Sequence, residues 1–149
     1  MARIVIADAG PLIAFAGIGA LSVLQKLFSE ISIAESVKRE CLAKPGSDSQ
    51  HIEAAIDEGW LTIFAPDATT GSLSPSLGAG ESDSISFALK SQGEALLIVD
   101  DRLARRFALK AGINIVGTVR LLDLAEQRGL IENAEQSIEE MLTTTAPRC

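Results

Sequence analysis

Five short, nearly continuous apolar runs, separated by stretches with helical periodicity, most constrain the fold of this chain. Runs of this kind are typical of strands that are buried on both faces. Strands that alternate with helices form βαβ units, which build a mostly parallel sheet covered by helices on both sides. We therefore predict an α/β domain with strands at 3–7, 31–34, 61–65, 95–99 and 113–116.

Helical patterns fill most of the segments between these runs. The long turn-rich segment 66–80 (PDATTGSLSPSLGAG) is predicted to be a loop, and loops of that length in compact domains are often functional. The length predicts one domain, which we place at 1–142, with 143–149 as a flexible C-terminal tail. The predicted helices are 11–16, 20–28, 35–43, 48–58, 81–91, 102–111, 118–128 and 134–143.

The composition argues against several classes of protein. No apolar run approaches the roughly 18 residues of a membrane span, and the first run ends at Asp8, too early for a signal peptide. We therefore expect a cytoplasmic protein. Cys41 and Cys149 do not form a disulfide framework, and Cys41 is expected to be a small buried residue. Because His51 is the only histidine, carboxylates remain for metal or acid–base chemistry.

Acidic residues directly follow two of the predicted strands. Asp8 follows the first strand, and Asp100 and Asp101 follow the fourth. The carboxyl ends of parallel strands lie at one edge of a sheet, where ligands bind in open α/β folds. Each of these acids can also cap the helix that follows it. Two carboxylates about 4 Å apart repel by roughly 4 kcal/mol at an effective dielectric of 20, so a cluster of them favours bound Mg²⁺ or Mn²⁺.

Three further acids lie in predicted helices. Glu81 and Asp83 are in a first turn, where acids stabilise the helix dipole by typically 0.3–1 kcal/mol. Glu40 is near the end of its helix, where an acid is unfavourable, although it can pair with Lys44 four residues on. Each acid alone is weak evidence, but the set predicts a hard-metal site and phosphate chemistry.

Four segments in order make the chain resemble the PIN domain, the nuclease fold of many toxin–antitoxin ribonucleases. They are IVIADAGPLIAFAGIGAL, IAESVKREC, LGAGESDSISFALK and LLIVDDRLARRFALKAGINIVGT, and the likeness covers nearly the whole chain. The resemblance implies a three-layer αβα fold with a five-stranded parallel sheet of order 3-2-1-4-5. Strands one and four would then be neighbours, so their terminal acids would meet at a topological switch point.

The resemblance implies catalytic roles for four acids, Asp8, Glu40, Glu81 and Asp101, and Mg²⁺ or Mn²⁺ as the cofactor. For the fourth acid, Asp100 is the alternative to Asp101, because the strand end is ambiguous by one residue. Asp83 can replace Glu81 or add to it. The metal ligands that the resemblance implies are Asp8, Glu81 and Asp101, with Asp100 and Asp83 as the alternatives.

The implied function is a metal-dependent endoribonuclease acting on single-stranded or structured RNA, as the toxin of a toxin–antitoxin pair. An antitoxin protein and a second copy of the chain would be its partners. Arg102 and Arg106, one turn apart beside the acids, are candidates for phosphate contact, with a solvated helix face as the alternative. Thr118 is a candidate hydroxyl near the metals, with helix capping as the alternative.

A second class of function is a catalytically weak or inactive module of the same fold that binds RNA or protein. The net charge of −7 and the modest basic cluster leave room for this reading. Receiver-like phosphotransfer proteins fit poorly, because here the acidic pair follows the fourth strand instead of the first. A haloacid-dehalogenase-type phosphatase would want a second aspartate at position 10, which is glycine.

Overall fold

The computed structural model describes residues 4–66, 73–91 and 94–145. In these ranges the chain forms five strands and eight helices. The strands are β1 (Ile4–Ala7), β2 (Ile31–Ala34), β3 (Leu61–Phe64), β4 (Ala95–Ile98) and β5 (Asn114–Val116). The helices are α1 (Ala9–Gly17), α2 (Leu21–Phe28), α3 (Glu35–Leu42), α4 (Ser47–Glu58), α5 (Ala79–Lys90), α6 (Arg102–Lys110), α7 (Thr118–Gln127) and α8 (Ala134–Thr145).

The five strands form one parallel sheet of order β3-β2-β1-β4-β5, which confirms the predicted order. The strand β1 lies between β2 and β4. From β1 the next two strands along the chain are added on one side, and β4 and β5 are added on the other, so β1 and β4 border the topological switch point. Ile4 pairs with Ala95 and Ala7 with Ile98, so β1 and β4 end level with each other. The Asp8 N–H continues this pairing by donating to the Ile98 carbonyl oxygen at 3.0 Å. Residues that follow β1 and β4 are therefore delivered to one place at the sheet edge.

Both faces of the sheet are covered by apolar cores, which confirms the predicted α/β fold. Val5 and Ala7 face the larger core, whereas Ile6 between them faces the smaller one. Successive strand residues point to opposite faces, so a doubly covered strand needs apolar residues at nearly every position. Trp60 and Phe15 are buried in the larger core. A fully buried side chain of this kind contributes roughly 1.5–3 kcal/mol to folding.

Several element boundaries differ from the prediction. The helix α1 begins at Ala9, before the predicted residue 11, because a proline in a first helical turn lacks only an N–H that has no intrahelical partner. Part of the predicted loop 66–80, residues 67–72, lies outside the described residues, and α5 already begins at Ala79. The helix α8 continues to Thr145, so the first three residues of the predicted tail are helical. Residues 146–149 lie outside the described ranges.

Among the described helices, none alone is long and apolar enough to cross a membrane. The helices α1 and α2 pass that length and composition test only as a pair bent by 120°. Both contribute buried side chains to the larger core, which is the ordinary reason for an apolar helix in a folded domain.

Candidate active site

Asp8 is the buried centre of the candidate site, with 7% of its surface exposed. It stands between β1 and α1 in an extended conformation, and its side chain makes no capping hydrogen bond to the helix. Burial raises the pKa of Asp8 from 3.8 to about 7, and the Ala9 N–H opposes this in part. The carboxylates of Glu81, Glu40 and Asp101 add to the rise through charge repulsion. These four acids therefore lie close enough to act on one another.

Gly80 allows the helices α3 and α5 to approach each other at this cluster. A Cβ atom on Gly80 would lie 3.0 Å from Val37 Cγ2, 3.5 Å from Asp8 Oδ1 and 3.6 Å from Glu40 Oε1. The Asp8 and Glu40 carboxylates therefore border the same point on α5. Sequence reasoning assigned Gly80 only to the loop, although its place directly before a first-turn acid was a usable signal.

Glu81 is the third residue of α5, and it combines a capping role with a place in the cluster. Its Oε1 accepts a hydrogen bond from the Gly78 N–H at 2.9 Å. Burial is the main cause that raises the pKa of Glu81, and the bond to Gly78 opposes it. The charge of Asp101, a hydrogen bond with Asp101 and the charge of Glu40 raise it further. The Glu81 and Asp101 carboxyl groups are therefore neighbours, and the charge of Asp101 disfavours the charged form of Glu81.

Asp101 and Asp100 have different surroundings, although they are adjacent in sequence. Asp101 caps α6, because its Oδ2 accepts a hydrogen bond from the Ala104 N–H at 3.0 Å. Asp100 turns towards α7, where its Oδ1 accepts from the Thr118 N–H at 2.7 Å and its Oδ2 accepts from the Thr118 hydroxyl. Asp101 acts on Asp8 and Glu81, whereas Asp100 is absent from the causes of both shifts. The geometry thus brings Asp101, and not Asp100, to the other acids.

Two other predicted residues are engaged away from the cluster. Asp83 accepts a hydrogen bond from the Ser36 hydroxyl at 2.5 Å and so ties α5 to α3. Its carboxylate thus lies on Ser36 of α3, two residues along α5 from Glu81. Thr118 is buried, and both its N–H and its hydroxyl bond to Asp100.

The basic residues of α6 differ in orientation. Arg102 and Arg106 are exposed, as phosphate contact would require. Arg105 is half-buried and turns inward, where its Nη1 donates to the Val99 carbonyl oxygen at 3.0 Å. The sequence analysis singled out Arg102 and Arg106 and gave no role to Arg105. The helix α3 ends at Leu42, so Lys44 is not one turn along the same helix from Glu40, as the predicted pairing required.

The four acids fit a divalent metal by their chemistry more than by their present spacing. Carboxylate oxygens are the ligands that Mg²⁺ and Mn²⁺ prefer, and the Asp8 side chain is not used as a cap of α1. Within residues 4–66, 73–91 and 94–145, however, no three acidic, thiol or imidazole groups converge as a ready-made metal site. Glu81 is turned towards Gly78, and Asp101 caps α6 with one oxygen. Coordination would therefore require side-chain rotation of Glu81 at least.

The Cys41 thiol is not a second reactive group at this site. It is buried, and burial is the main cause that raises its pKa to about 12, with the charges of Glu40 and Asp8 adding to the rise. A thiol in such surroundings stays protonated near neutral pH, and the thiolate is the reactive form. This supports the prediction that Cys41 is a small buried residue.

Comparison with known proteins agrees with the geometry. A family model described as PIN domain matches residues 4–148. The structure is similar to that of a PilT N-terminus domain protein from the hyperthermophilic archaeon Sulfolobus solfataricus P2, at 20% sequence identity and a TM-score of 0.61. That match covers 83% of this chain and 93% of the other, and it shows the shared fold. No curated protein matches this sequence. Since the family model spans all five strands and all four acids, this chain belongs to the PIN domain family.

Proposed function

We propose that this protein is a metal-dependent endoribonuclease that hydrolyses phosphodiester bonds in single-stranded or structured RNA. PIN domains are generally nucleases, which supports the class of reaction. The observation that carries the proposal is the meeting of four carboxylates, from four separate elements, around the buried Asp8. Such a cluster is costly without a bound cation, so its presence calls for a functional reason.

In the proposed mechanism, Asp8, Glu81 and Asp101 would hold Mg²⁺ or Mn²⁺. The bound ion would lower the pKa of a water molecule and stabilise the charge that develops on the phosphate. Asp8 keeps a fixed position, because it is buried and its backbone is part of the sheet edge. Glu40 is exposed and is not among the three acids assigned to the metal, so we assign it to take up the proton of the attacking water and pass it to solvent.

The RNA is proposed to approach along α6. Arg102 and Arg106 are exposed on the helix that begins directly after Asp101, and guanidinium groups suit bidentate contact with phosphate oxygens. Their positive charge opposes the net charge of −7 locally, at the place where the substrate backbone must bind. These contacts would set the position of the RNA and not its sequence.

We further propose that the enzyme is the cytoplasmic toxin of a toxin–antitoxin pair and forms a homodimer. A free, buried Cys41 fits a reducing compartment. Exposed leucines on α6, Leu103 and Leu109, offer apolar surface that an antitoxin or a second copy would cover.

The second candidate function is a catalytically weak or inactive PIN-fold module that binds RNA or protein. The observation that favours it is that no three of the described acids converge as metal ligands without side-chain movement. Such a module would bind RNA in EDTA as well as in Mn²⁺ and would leave it intact.

Cleavage of an end-labelled, mixed-sequence RNA tests the proposal. The wild type and the variants Asp101→Asn and Asp57→Asn are compared in Mg²⁺, Mn²⁺ or EDTA. Asp57 is a matched control, since it is an exposed acid on α4, whose end leads into the start of β3 at the opposite edge of the sheet. We expect metal-dependent cutting by the wild type and Asp57→Asn, and none by Asp101→Asn. Metal-independent cutting, or equal cutting by Asp101→Asn, would refute the proposal.

A further inference from the structure

The backbone that leads from β4 to α6 is held at both polar groups of Val99. The Val99 N–H donates to the Val116 carbonyl oxygen at 3.0 Å, which continues the pairing of β4 with β5. The Val99 carbonyl oxygen accepts a hydrogen bond from Arg105 Nη1 at 3.0 Å. Arg105 comes from the second turn of α6, so this helix reaches back and holds the strand end that precedes it. Asp100 and Asp101 therefore follow a fixed point.

Asp100 provides the next attachment. Its two carboxylate oxygens bind the N–H and the hydroxyl of Thr118, which is the first residue of α7. A carboxylate at a helix N-terminus also interacts favourably with the helix dipole. Since both oxygens of Asp100 contact α7, its side chain is not directed to the four-acid cluster. Asp100 thus connects the end of β4 and the start of α6 to the start of α7.

Gly117 lets these groups come together. A Cβ atom there would lie 2.6 Å from Arg105 Nη1 and 3.0 Å from Asp100 Oδ1, so any larger residue would displace one of them. The Arg105 guanidinium and the Asp100 carboxylate thus border the same point of the turn between β5 and α7. Their opposite charges attract each other at this point of the turn.

We propose that Asp100, Arg105 and Thr118 form a clamp that positions Asp101 in the acid cluster, and that Asp100 is a positioning residue and not a metal ligand. Asp101 has one oxygen on the Ala104 N–H and its carboxyl group beside Glu81. Both contacts depend on where the chain leaves the strand, and the clamp determines that point. The statement that Asp100 is not a metal ligand rests on the proposed function, because it requires that the cluster binds metal. The positioning of Asp101 by the clamp does not require metal.

Substitutions of Asp100 can distinguish a residue that positions Asp101 from a residue that binds the metal itself. Asparagine can keep both contacts, because its amide oxygen accepts from the Thr118 N–H and its amide NH₂ donates to the Thr118 hydroxyl. Alanine removes both. We expect Asp100→Ala to weaken Mn²⁺ binding about 10- to 100-fold, as the loss of an outer partner of a metal ligand typically does. Asp100→Asn should keep most of the affinity, whereas Asp101→Asn should lose it. Mn²⁺ binding is measured from the electron paramagnetic resonance signal of the free ion. Equal losses in Asp100→Asn and Asp101→Asn would overturn the inference.

A second readout decides the clamp without any metal. The Ala104 amide bonds to Asp101, so its hydrogen exchange in EDTA reports whether Asp101 is held in place. We expect Asp100→Ala and Thr118→Val to speed this exchange at least about tenfold, while exchange in β2 stays unchanged. Asp100→Asn and Thr118→Ser should exchange as the wild type does. If the wild type binds no Mn²⁺, the proposed function fails but this test still applies. Unchanged Ala104 exchange in Asp100→Ala would overturn the clamp.

Discussion

Asp8→Asn should make the metal-free protein more stable while it abolishes activity. Asp8 has 7% of its surface exposed, and its pKa of about 7 stands well above the ordinary 3.8. At about 1.36 kcal/mol per pH unit, holding its charge in the folded state costs up to about 4 kcal/mol. Asparagine has the same shape and no charge. We therefore expect the free energy of unfolding at about pH 8.5 in EDTA to rise by up to about 4 kcal/mol.

The effect has a defined pH dependence. Between pH 3.8 and about 7 the folded state binds the Asp8 proton and the unfolded state releases it, so wild-type stability falls as pH rises through this window. Below pH 3.8 Asp8 is protonated in both states, and the wild type and Asp8→Asn should be equally stable. Above pH 7 the full difference should appear and stay constant. The pKa of Glu81 is also raised, but Glu81 is present in both proteins. Its contribution to the pH dependence of stability therefore largely cancels in the difference between them.

Urea unfolding of both proteins in EDTA, at about pH 4, 6 and 8.5, measures this difference. The Glu40→Gln variant is a suitable comparison, because Glu40 belongs to the same cluster but is exposed, so its loss should change stability far less. An Asp8→Asn protein that is less stable than the wild type at about pH 8.5 would refute the reasoning. So would a difference that does not change with pH.

The remaining predictions concern the metal, the helix approach and the thiol. Saturating Mg²⁺ should raise the unfolding temperature of the wild type much more than that of Asp8→Asn, because an ion that binds only the folded state stabilises that state. Calorimetric scans measure both temperatures, and equal increases would contradict metal binding at Asp8. Gly80→Ala gains about 1 kcal/mol of helix propensity but places a methyl group 3.0 Å from Val37 Cγ2 and 3.5 Å from Asp8 Oδ1. It should therefore remain folded by circular dichroism and cut RNA poorly, and wild-type cleavage would be the contrary result. Cys41, with its pKa near 12, should resist iodoacetamide at about pH 8 until the protein unfolds, and mass spectrometry of the native protein would reveal any exception.

The architecture was predictable because buried parallel strands appear in the sequence as short, nearly continuous apolar runs. Runs such as Ile4–Ala7 and Ala95–Ile98 are apolar at successive positions, since each face of the sheet packs on its own layer of helices. The order of the strands came from the resemblance, because apolar runs do not state which strand lies beside which. The helix boundaries were the weakest part, as at Ala79, where α5 begins inside the predicted loop.

The candidate site was predictable as a set of acids but not in its contacts. The choice between Asp100 and Asp101 depends on a single residue at the end of β4, since successive side chains there point in different directions. Glu81 and Asp83 stand two residues apart on α5, which is about 200° around the helix, so only one of them faces Asp8. No periodicity indicated that Arg105 turns inward while the other two arginines of α6, Arg102 and Arg106, are exposed.

A crystal of the protein soaked in saturating Mn²⁺ would test the central claim most directly, through anomalous diffraction at the manganese absorption edge. We expect a manganese peak bonded to oxygens of Asp8 and Asp101, with Glu81 rotated away from the Gly78 N–H to join them. Asp100 should remain on Thr118. A soaked crystal with no manganese at these carboxylates, or with manganese bound by Asp100 in place of Asp101, would contradict it.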